Sequence, residues 1–397
     1  MGNFYLIILD GVGCGHQEDA AQYGDAGSNT LGNTLYETGV ALPNFARLGL
    51  GNIIPLKTVL PAADPLCAWG KMREISAGKD STTGHWEIAG VPLDRPFPTY
   101  PNGFPEEILQ AFQEATGTDG ILANAPYSGT DVIRDFGRKH LDTGRPILYT
   151  SADSVFQVAC HADITPVEQL YDWCRAARDT IMTGEHAVGR VIARPFAGAP
   201  GEFYRLTDKR LDFSLETPTP NIMSELHREG IKTYSVGKII DLFGVPYFTQ
   251  YRKTGSNAEG ISQLLSMMSA VENSFVFVNL IDTDQLFGHR NDPQGFAGSL
   301  EEFDRAIPAL FNKLGDDDVL LITADHGNDP TTGSSDHARE FVPLLMAPRA
   351  RAVAPDLGTR AQFSDVACSV MDFFGLPAPF RGSSFLKPGR STEAMTL

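Results

Sequence analysis

Three apolar runs of strand length end in aspartate. Phe4-Tyr5-Leu6-Ile7-Ile8-Leu9 stops at Asp10, Phe275-Val276-Phe277-Val278-Asn279-Leu280-Ile281 runs into Asp282-Thr283-Asp284, and Val319-Leu320-Leu321-Ile322-Thr323-Ala324 stops at Asp325-His326. Such a run reads as a buried strand that hands over to a polar loop. In open α/β sheets the loops beyond the carboxyl ends of the strands converge on the site. Two more histidines stand close by in sequence: His289, on the loop that opens with Asp284, and His337, in Asp336-His337 after a Gly/Ser/Thr stretch that returns from Asp325. Asp10, Asp284, His289, Asp325, His326 and His337 combine carboxylate with imidazole and no thiolate, a donor set for Mn²⁺, Mg²⁺ or Zn²⁺. They suffice for two ions, and a pair of ions can clamp the attacking and leaving oxygens of a phosphoryl transfer.

Gly78-Lys79-Asp80-Ser81-Thr82-Thr83-Gly84 supplies a hydroxyl. Three hydroxyls in a row after a turn predict the N-terminal cap of a helix, where backbone N–H groups favour a phosphate. Ser81 is the candidate nucleophile, and the reaction class is phosphoryl or sulfuryl transfer. Taken singly, each residue has a plainer reading: an aspartate at a strand end is usually a turn or cap residue, a lone loop histidine is usually hydrogen-bonded, and Ser81 to Thr83 would only cap. The joint pattern reverses that. Asp282 is read as structural, His16, His140, His186 and His227 as solvent-facing, and His85 with Trp86 as packing or support behind the site.

The elements that must hold these residues alternate β and α, so the core sheet is expected to be mainly parallel with helices around it. Helices are expected at Pro43 to Leu48, Glu106 to Thr116, Val167 to Ile181, Asn221 to Arg228 and Ile261 to Val271. Leu300, Phe303, Ile307, Leu310, Phe311 and Leu314 recur at helical spacing, with Pro308 expected to kink that helix. Prolines cluster at Pro92, Pro96, Pro98, Pro101 and Pro105 and again at Pro218 and Pro220. Between the clusters lies enough chain for a domain. The expected organisation is a metal-binding core of residues 1–97 and 218–397, with 98–217 as an inserted, smaller α/β cap domain.

At 397 residues and 42% hydrophobic, the chain can bury a large core. Its net charge of −17 argues against nucleic acid as a partner. No apolar run is long enough to span a bilayer, and the first ends at Asp10 without a preceding basic residue, so neither membrane nor signal peptide is expected. Five scattered cysteines without metal-finger spacing predict free thiols and a cytoplasmic setting. Nothing in the sequence speaks to oligomeric state.

Several motifs together resemble the phosphopentomutase family of the alkaline phosphatase superfamily. They are Leu9-Asp10-Gly11-Val12-Gly13, Gly78-Lys79-Asp80-Ser81 with Gly84-His85-Trp86-Glu87, Thr150-Ser151-Ala152-Asp153-Ser154, Gly189 to Phe196, Gly237-Lys238-Ile239, Asp284 to Arg290, and Asp325 to Pro330 with Asp336-His337. The resemblance implies an alkaline phosphatase-like core and an intramolecular phosphotransferase. Its substrates would be small-molecule pentose phosphates, α-D-ribose 1-phosphate and D-ribose 5-phosphate and their 2-deoxy equivalents, interconverted through a phosphoserine and a 1,5-bisphosphate. It implies two Mn²⁺, with Asp10, Asp325 and His326 on one ion and Asp284, His289 and His337 on the other. It also implies priming by a sugar 1,5- or 1,6-bisphosphate, and Ser151, Asp153, Arg190, Lys238, Arg194 and Arg205 as contacts to the sugar or its distal phosphate. The family nucleophile is usually threonine, and here Ser81 stands in its place; Gly11 likewise stands where a serine is common. Three alternatives stay open: a metal-dependent phosphomonoesterase of the same superfamily, a mutase of another substrate like cofactor-independent phosphoglycerate mutase, and a non-catalytic sugar-phosphate-binding regulator.

Overall fold

The computed structural model describes residues 2–151 and 153–387; Met1, Ala152 of the Thr150-to-Ser154 motif and residues 388–397 lie outside the described residues. Two compact units result, Met1–Pro96 with Thr217–Leu397, and Phe97–Glu216.

The first unit is built on an eight-stranded sheet in the order Gln250–Arg252, Lys232–Val236, Ser274–Leu280, Phe4–Leu9, Val319–Thr323, Val342–Ala347, Ala68–Met72, Asp356–Arg360. Phe4–Leu9 lies between Ser274–Leu280 and Val319–Thr323, parallel to both. All three strands are buried along their whole length, which is why they read as continuous apolar runs rather than alternating ones. Parallel neighbours bring the three strand ends to the same edge, so Asp10, Asp284 and Asp325 leave the sheet side by side. Val342–Ala347 runs antiparallel between Val319–Thr323 and Ala68–Met72. No helix separates it from Val319–Thr323, only the loop that carries His326 and His337, and a parallel return would have needed a crossover.

Helix Pro293–Phe311 continues through Pro308, which sits in its last turn. A proline there leaves the carbonyl of Asp304 without its helical donor. Asn44 Nδ2 donates to that oxygen at 3.0 Å, while the Asp304 carboxylate accepts the backbone N–H groups of Asn44 and Phe45 at the start of helix Pro43–Leu48. The carbonyl that Pro308 frees is thus satisfied from a neighbouring helix.

The second unit has a six-stranded sheet, Leu122–Pro126, Ile147–Thr150, Val155–His161, Arg190–Ala197 and Tyr204–Arg205, with Leu211–Ser214 also paired to Arg190–Ala197. Successive residues of a strand face opposite sides. Phe156, Val158 and Cys160 pack with Ile108 and Phe112 of helix Glu106–Thr116 and Leu170 and Cys174 of helix Val167–Ala176. Ile147, Tyr149 and Ala159 pack with Val132 and Ile133 of helix Gly129–Thr143. His140, expected at the surface, is fully buried on that helix. Its Nδ1 pairs with the Arg145 carbonyl at 2.7 Å and its Nε2 accepts the His161 backbone N–H at 2.9 Å. Both ring nitrogens find backbone partners, so burial leaves no polar atom unsatisfied. All five cysteines are free and buried. Among the described residues no helix is long and apolar enough to cross a membrane.

Candidate active site

The first unit gathers seven of the candidate residues, and Lys238 with them, at the carboxyl edge of its sheet. Asp10 follows the central strand and is 1% exposed. Its backbone is fixed by Asp10 N donating to Leu280 O and by Thr283 Oγ1 donating to Asp10 O, and its Oδ2 accepts from Asn279 Nδ2 at 2.9 Å. Its other oxygen, Oδ1, accepts no hydrogen bond among the described residues and has His326 Nε2 at 3.5 Å. Asp325 Oδ1 accepts from Gly11 N, and its Oδ2 faces His85 Nδ1 at 3.0 Å and His326 Nε2 at 3.2 Å. Ligand atoms of Asp10, Asp325 and His326 lie within 4.8 Å of one another, and so do those of Asp284, His326 and His337. His289 joins the second group through Asp284, with Nε2 at 3.2 Å from Oδ2. Its Nδ1 is turned to the Ser335 carbonyl at 2.7 Å, which fixes Nε2 toward the carboxylate.

Ser81 opens helix Ser81–Ile88. The cap is Asp80, whose side chain accepts from Thr82 N and Thr83 N, so the three hydroxyls fill the first turn rather than cap it. Ser81 Oγ is buried, 3.2 Å from His326 Nε2 and 3.2 Å from Lys238 Nζ. Two glycines make this approach possible. A Cβ at Gly84 would stand 2.1 Å from the Asp325 carbonyl oxygen, so only glycine lets the helix lie against that loop. Gly237 has φ +83°, and a Cβ there would meet the Asn279 carbonyl at 2.2 Å; it turns the chain that delivers Lys238.

Three buried carboxylates at one sheet edge are an electrostatic problem. Burial, and then the neighbouring Asp325, push Asp10 up to about 6, against the pull of Lys238. Burial would also raise Asp284 and Asp325, but imidazoles hold both below the ordinary carboxylate range, His337 foremost for Asp284 and His326 for Asp325. Burial would lower His326, yet Asp325, Asp284 and Asp10 raise it well above the usual imidazole value. The site calls for positive charge, and the raised proton affinity of His326 is one sign of it. The Asp10 Oδ1 without a hydrogen bond among the described residues, the Asp325 Oδ2 that faces two imidazoles and the oxygen/nitrogen donor set all fit divalent cations of the Mn²⁺, Mg²⁺ or Zn²⁺ type.

A family model described as the metalloenzyme superfamily matches residues 2–378. Phosphopentomutase of Caldanaerobacter subterraneus subsp. tengcongensis is 49% identical over 96% of this chain and 96% of its own. Phosphopentomutase of Acetivibrio thermocellus is 50% identical over 96% of this chain and 98% of its own. The chain belongs to the phosphopentomutase family. With that membership it is an enzyme, an intramolecular phosphotransferase of the isomerase class, and its core is alkaline phosphatase-like. Among solved structures, phosphoglycerate mutase of Leishmania mexicana aligns over 98% of both chains with TM-score 0.51 at 11% identity, a likeness of fold alone.

The other positions that resemble the family's sugar contacts lie in the second unit. Arg190 begins a strand and stands 3.7 Å from Asp153 and 3.6 Å from Asp212. Ser151 follows strand Ile147–Thr150 and is partly exposed. Arg194 and Arg205 meet near Gly129, the first residue of a fifteen-residue helix, where an added Cβ would find the Tyr149 hydroxyl at 3.1 Å, Arg194 Nη1 at 3.3 Å and Arg205 Nη1 at 3.6 Å. Arg194 Nε and the Tyr149 hydroxyl have no hydrogen-bond partner among the described residues. Two guanidinium groups and a hydroxyl at a helix N-terminus suit an anion.

Sequence reasoning missed the amides. Asn279 orients Asp10, and Asn328 Nδ2 donates to Asp284 Oδ1 at 2.7 Å. An asparagine inside the apolar run of residues 275–281 is the signal that could have marked the first. Nothing in the sequence marked the second beyond its place after Asp325-His326-Gly327.

Proposed function

We propose that the chain interconverts α-D-ribose 1-phosphate and D-ribose 5-phosphate, and their 2-deoxy equivalents, by way of phospho-Ser81 and a sugar 1,5-bisphosphate. The observation that carries this reading is Ser81 Oγ itself, a buried hydroxyl at a helix N-terminus held between Lys238 Nζ and His326 Nε2. Near 50% identity with phosphopentomutases over almost the whole chain supports it.

Asp10, Asp325 and His326 would hold one cation and Asp284, His289 and His337 the other, Mn²⁺ by resemblance. Bound there, the cations neutralise phosphoryl oxygens and lower the barrier to in-line transfer. The residues do the rest. Phospho-Ser81 gives up its phosphoryl group as the Oγ–P bond breaks and a bond from the free hydroxyl of the pentose monophosphate to phosphorus forms. In the second transfer the other phosphate returns to Oγ, and the proton lost by the first sugar hydroxyl is regained by the second, so the cycle is proton-neutral. Lys238 stabilises the charge that moves across Oγ, and N–H groups at the start of helix Ser81–Ile88 hold the phosphate. Resting enzyme would be primed by a sugar 1,5- or 1,6-bisphosphate. Arg190, Arg194, Arg205, Ser151 and Asp153 would hold the sugar and its distal phosphate, and the second unit would act as a cap that keeps water, the competing acceptor, from the phosphoserine.

Phosphorus NMR of Mn²⁺-loaded protein given ribose 1-phosphate and a trace of bisphosphate tests the reading. A growing ribose 5-phosphate signal with little inorganic phosphate is expected. Inorganic phosphate as the main product would make the chain a phosphomonoesterase instead.

A further inference from the structure

Arg339 is 3% exposed and lies two residues beyond His337, yet most of its guanidinium contacts belong to another part of the chain. Nη1 donates to the carbonyls of Ser76 and Gly78 at 2.8 and 2.7 Å, and Nη2 to the carbonyl of Glu74 at 2.9 Å. Nε and Nη2 also reach the Asp19 carboxylate, and Nη1 stands 2.9 Å from Glu74 Oε2. The guanidinium lies over the Tyr23 ring at 5.0 Å. Residues 73–80 belong to no strand or helix. The three carbonyls that Arg339 collects therefore take from one side chain what a sheet partner would otherwise give, in the segment that runs directly into Asp80 and Ser81.

A second link runs in parallel. Asp25 Oδ2 accepts the Arg339 backbone N–H at 2.8 Å and both of its oxygens take Lys79 Nζ at 3.1 Å, while Lys79 also reaches Asp336 Oδ2 at 3.1 Å. The residues on both sides of His337 are thus tied to the segment that presents Ser81, one through its guanidinium and the other through Lys79.

We propose that Arg339 is a positioning residue: it sets the register of the Ser81 hydroxyl against the His326–His337 loop by fixing the carbonyls of Glu74, Ser76 and Gly78. The proposal rests on the reading of Ser81 as nucleophile. Lysine keeps the charge at this position but cannot span three carbonyls in one plane, so Arg339→Lys separates charge from geometry.

The experiment is rapid-quench transfer of labelled phosphate from a sugar 1,5-bisphosphate to Mn²⁺-loaded, full-length protein, with amplitude and rate read separately. A side chain that only helps folding changes how many chains are labelled; one that sets register changes how fast. Arg339→Lys is expected to reach the wild-type amplitude per folded chain at a rate about 10²-fold lower. Should that variant not fold, Arg339→Met with Glu74→Gln removes the buried charge pair as a unit and carries the same expectation. A wild-type rate, at full or reduced amplitude, overturns the proposal. No label on the wild-type chain overturns the reading of Ser81 and this proposal with it, whereas label on the wild type and an unaltered rate in the variant overturns this proposal alone.

Discussion

His326 in the first unit and His140 in the second are both fully buried, and their surroundings shift their proton affinities in opposite directions. His326 faces three carboxylates that raise its proton affinity well above the ordinary value, against burial. His140 has its affinity lowered by burial, and a backbone N–H points at its Nε2, where an added proton would have no room. The same side chain at the same depth serves a centre short of positive charge in one unit and a neutral packing joint in the other. Burial alone says little about a histidine's role. What faces its two nitrogens decides it.

The contrast can be tested from its strongest consequence downward. Ser81→Ala should abolish phosphoenzyme and lower kcat by on the order of 10⁴-fold or more, since the nucleophile has no substitute at Oγ; ordinary labelling of the variant would point to Thr82 or Thr83. Chelation of divalent cations should remove activity and also lower the thermal midpoint of the first unit. A cation present at a thousandfold excess over its Kd contributes about 4 kcal/mol. A midpoint that does not respond to chelator would mean that the carboxylates are balanced without metal. Gly84→Ala pushes a Cβ onto the Asp325 carbonyl and should cost about 10²-fold in kcat by shifting Ser81. Arg194→Ala should lower kcat/KM by about 10- to 100-fold, the range for a lost charge-assisted hydrogen bond, with labelling by bisphosphate intact if it serves only the distal phosphate.

The smallest effect concerns acid. With its folded-state affinity depressed, His140 takes a proton in the unfolded chain first as pH falls below about 6.5. Its contribution to stability is therefore full above that value and drains away below it. Protection of the His161 amide against hydrogen exchange, corrected for intrinsic rate, should fall in that window for the wild type. In His140→Gln, whose amide oxygen accepts the same N–H without titrating, the slope should flatten.

Much of the centre was legible because several of its candidate ligands end strands, and fully buried parallel strands leave an unbroken apolar signature that stops where the candidate begins. Asp10, Asp284, Asp325 and His326 were read in this way, His289 and His337 from the loops that follow and Ser81 from its run of hydroxyls, and the structure collects them at one sheet edge. The supports were not legible, because each comes from a distant segment that carries no periodic mark. Asn328 donates to Asp284 and Arg339 serves carbonyls of residues 74–78, whereas His85, read as packing or support behind the site, does reach Asp325. His140 was placed at the surface with no helix recognised around it. Helix Gly129–Thr143 has a buried face, and the histidine lies on it beside Val132, Ile133 and Gly137. Pro308 was read as a kink, and only the fold shows that Asn44 serves the carbonyl it frees.

The place of Phe4–Leu9 between Ser274–Leu280 and Val319–Thr323 bears on how the molecule comes into being. Phe4–Leu9 is synthesised long before both of its neighbours, and Asp10 meets His326 only once the chain between them exists. At about 5–20 residues per second of synthesis, that strand must stay unpaired for many seconds, an apolar segment dependent on whatever shields nascent chains. The Phe97–Glu216 unit, whose strands pair only with one another, can fold during the wait. The order of folding is then inverted relative to the order of synthesis: the inserted unit first, the candidate residues at the edge of the larger sheet last.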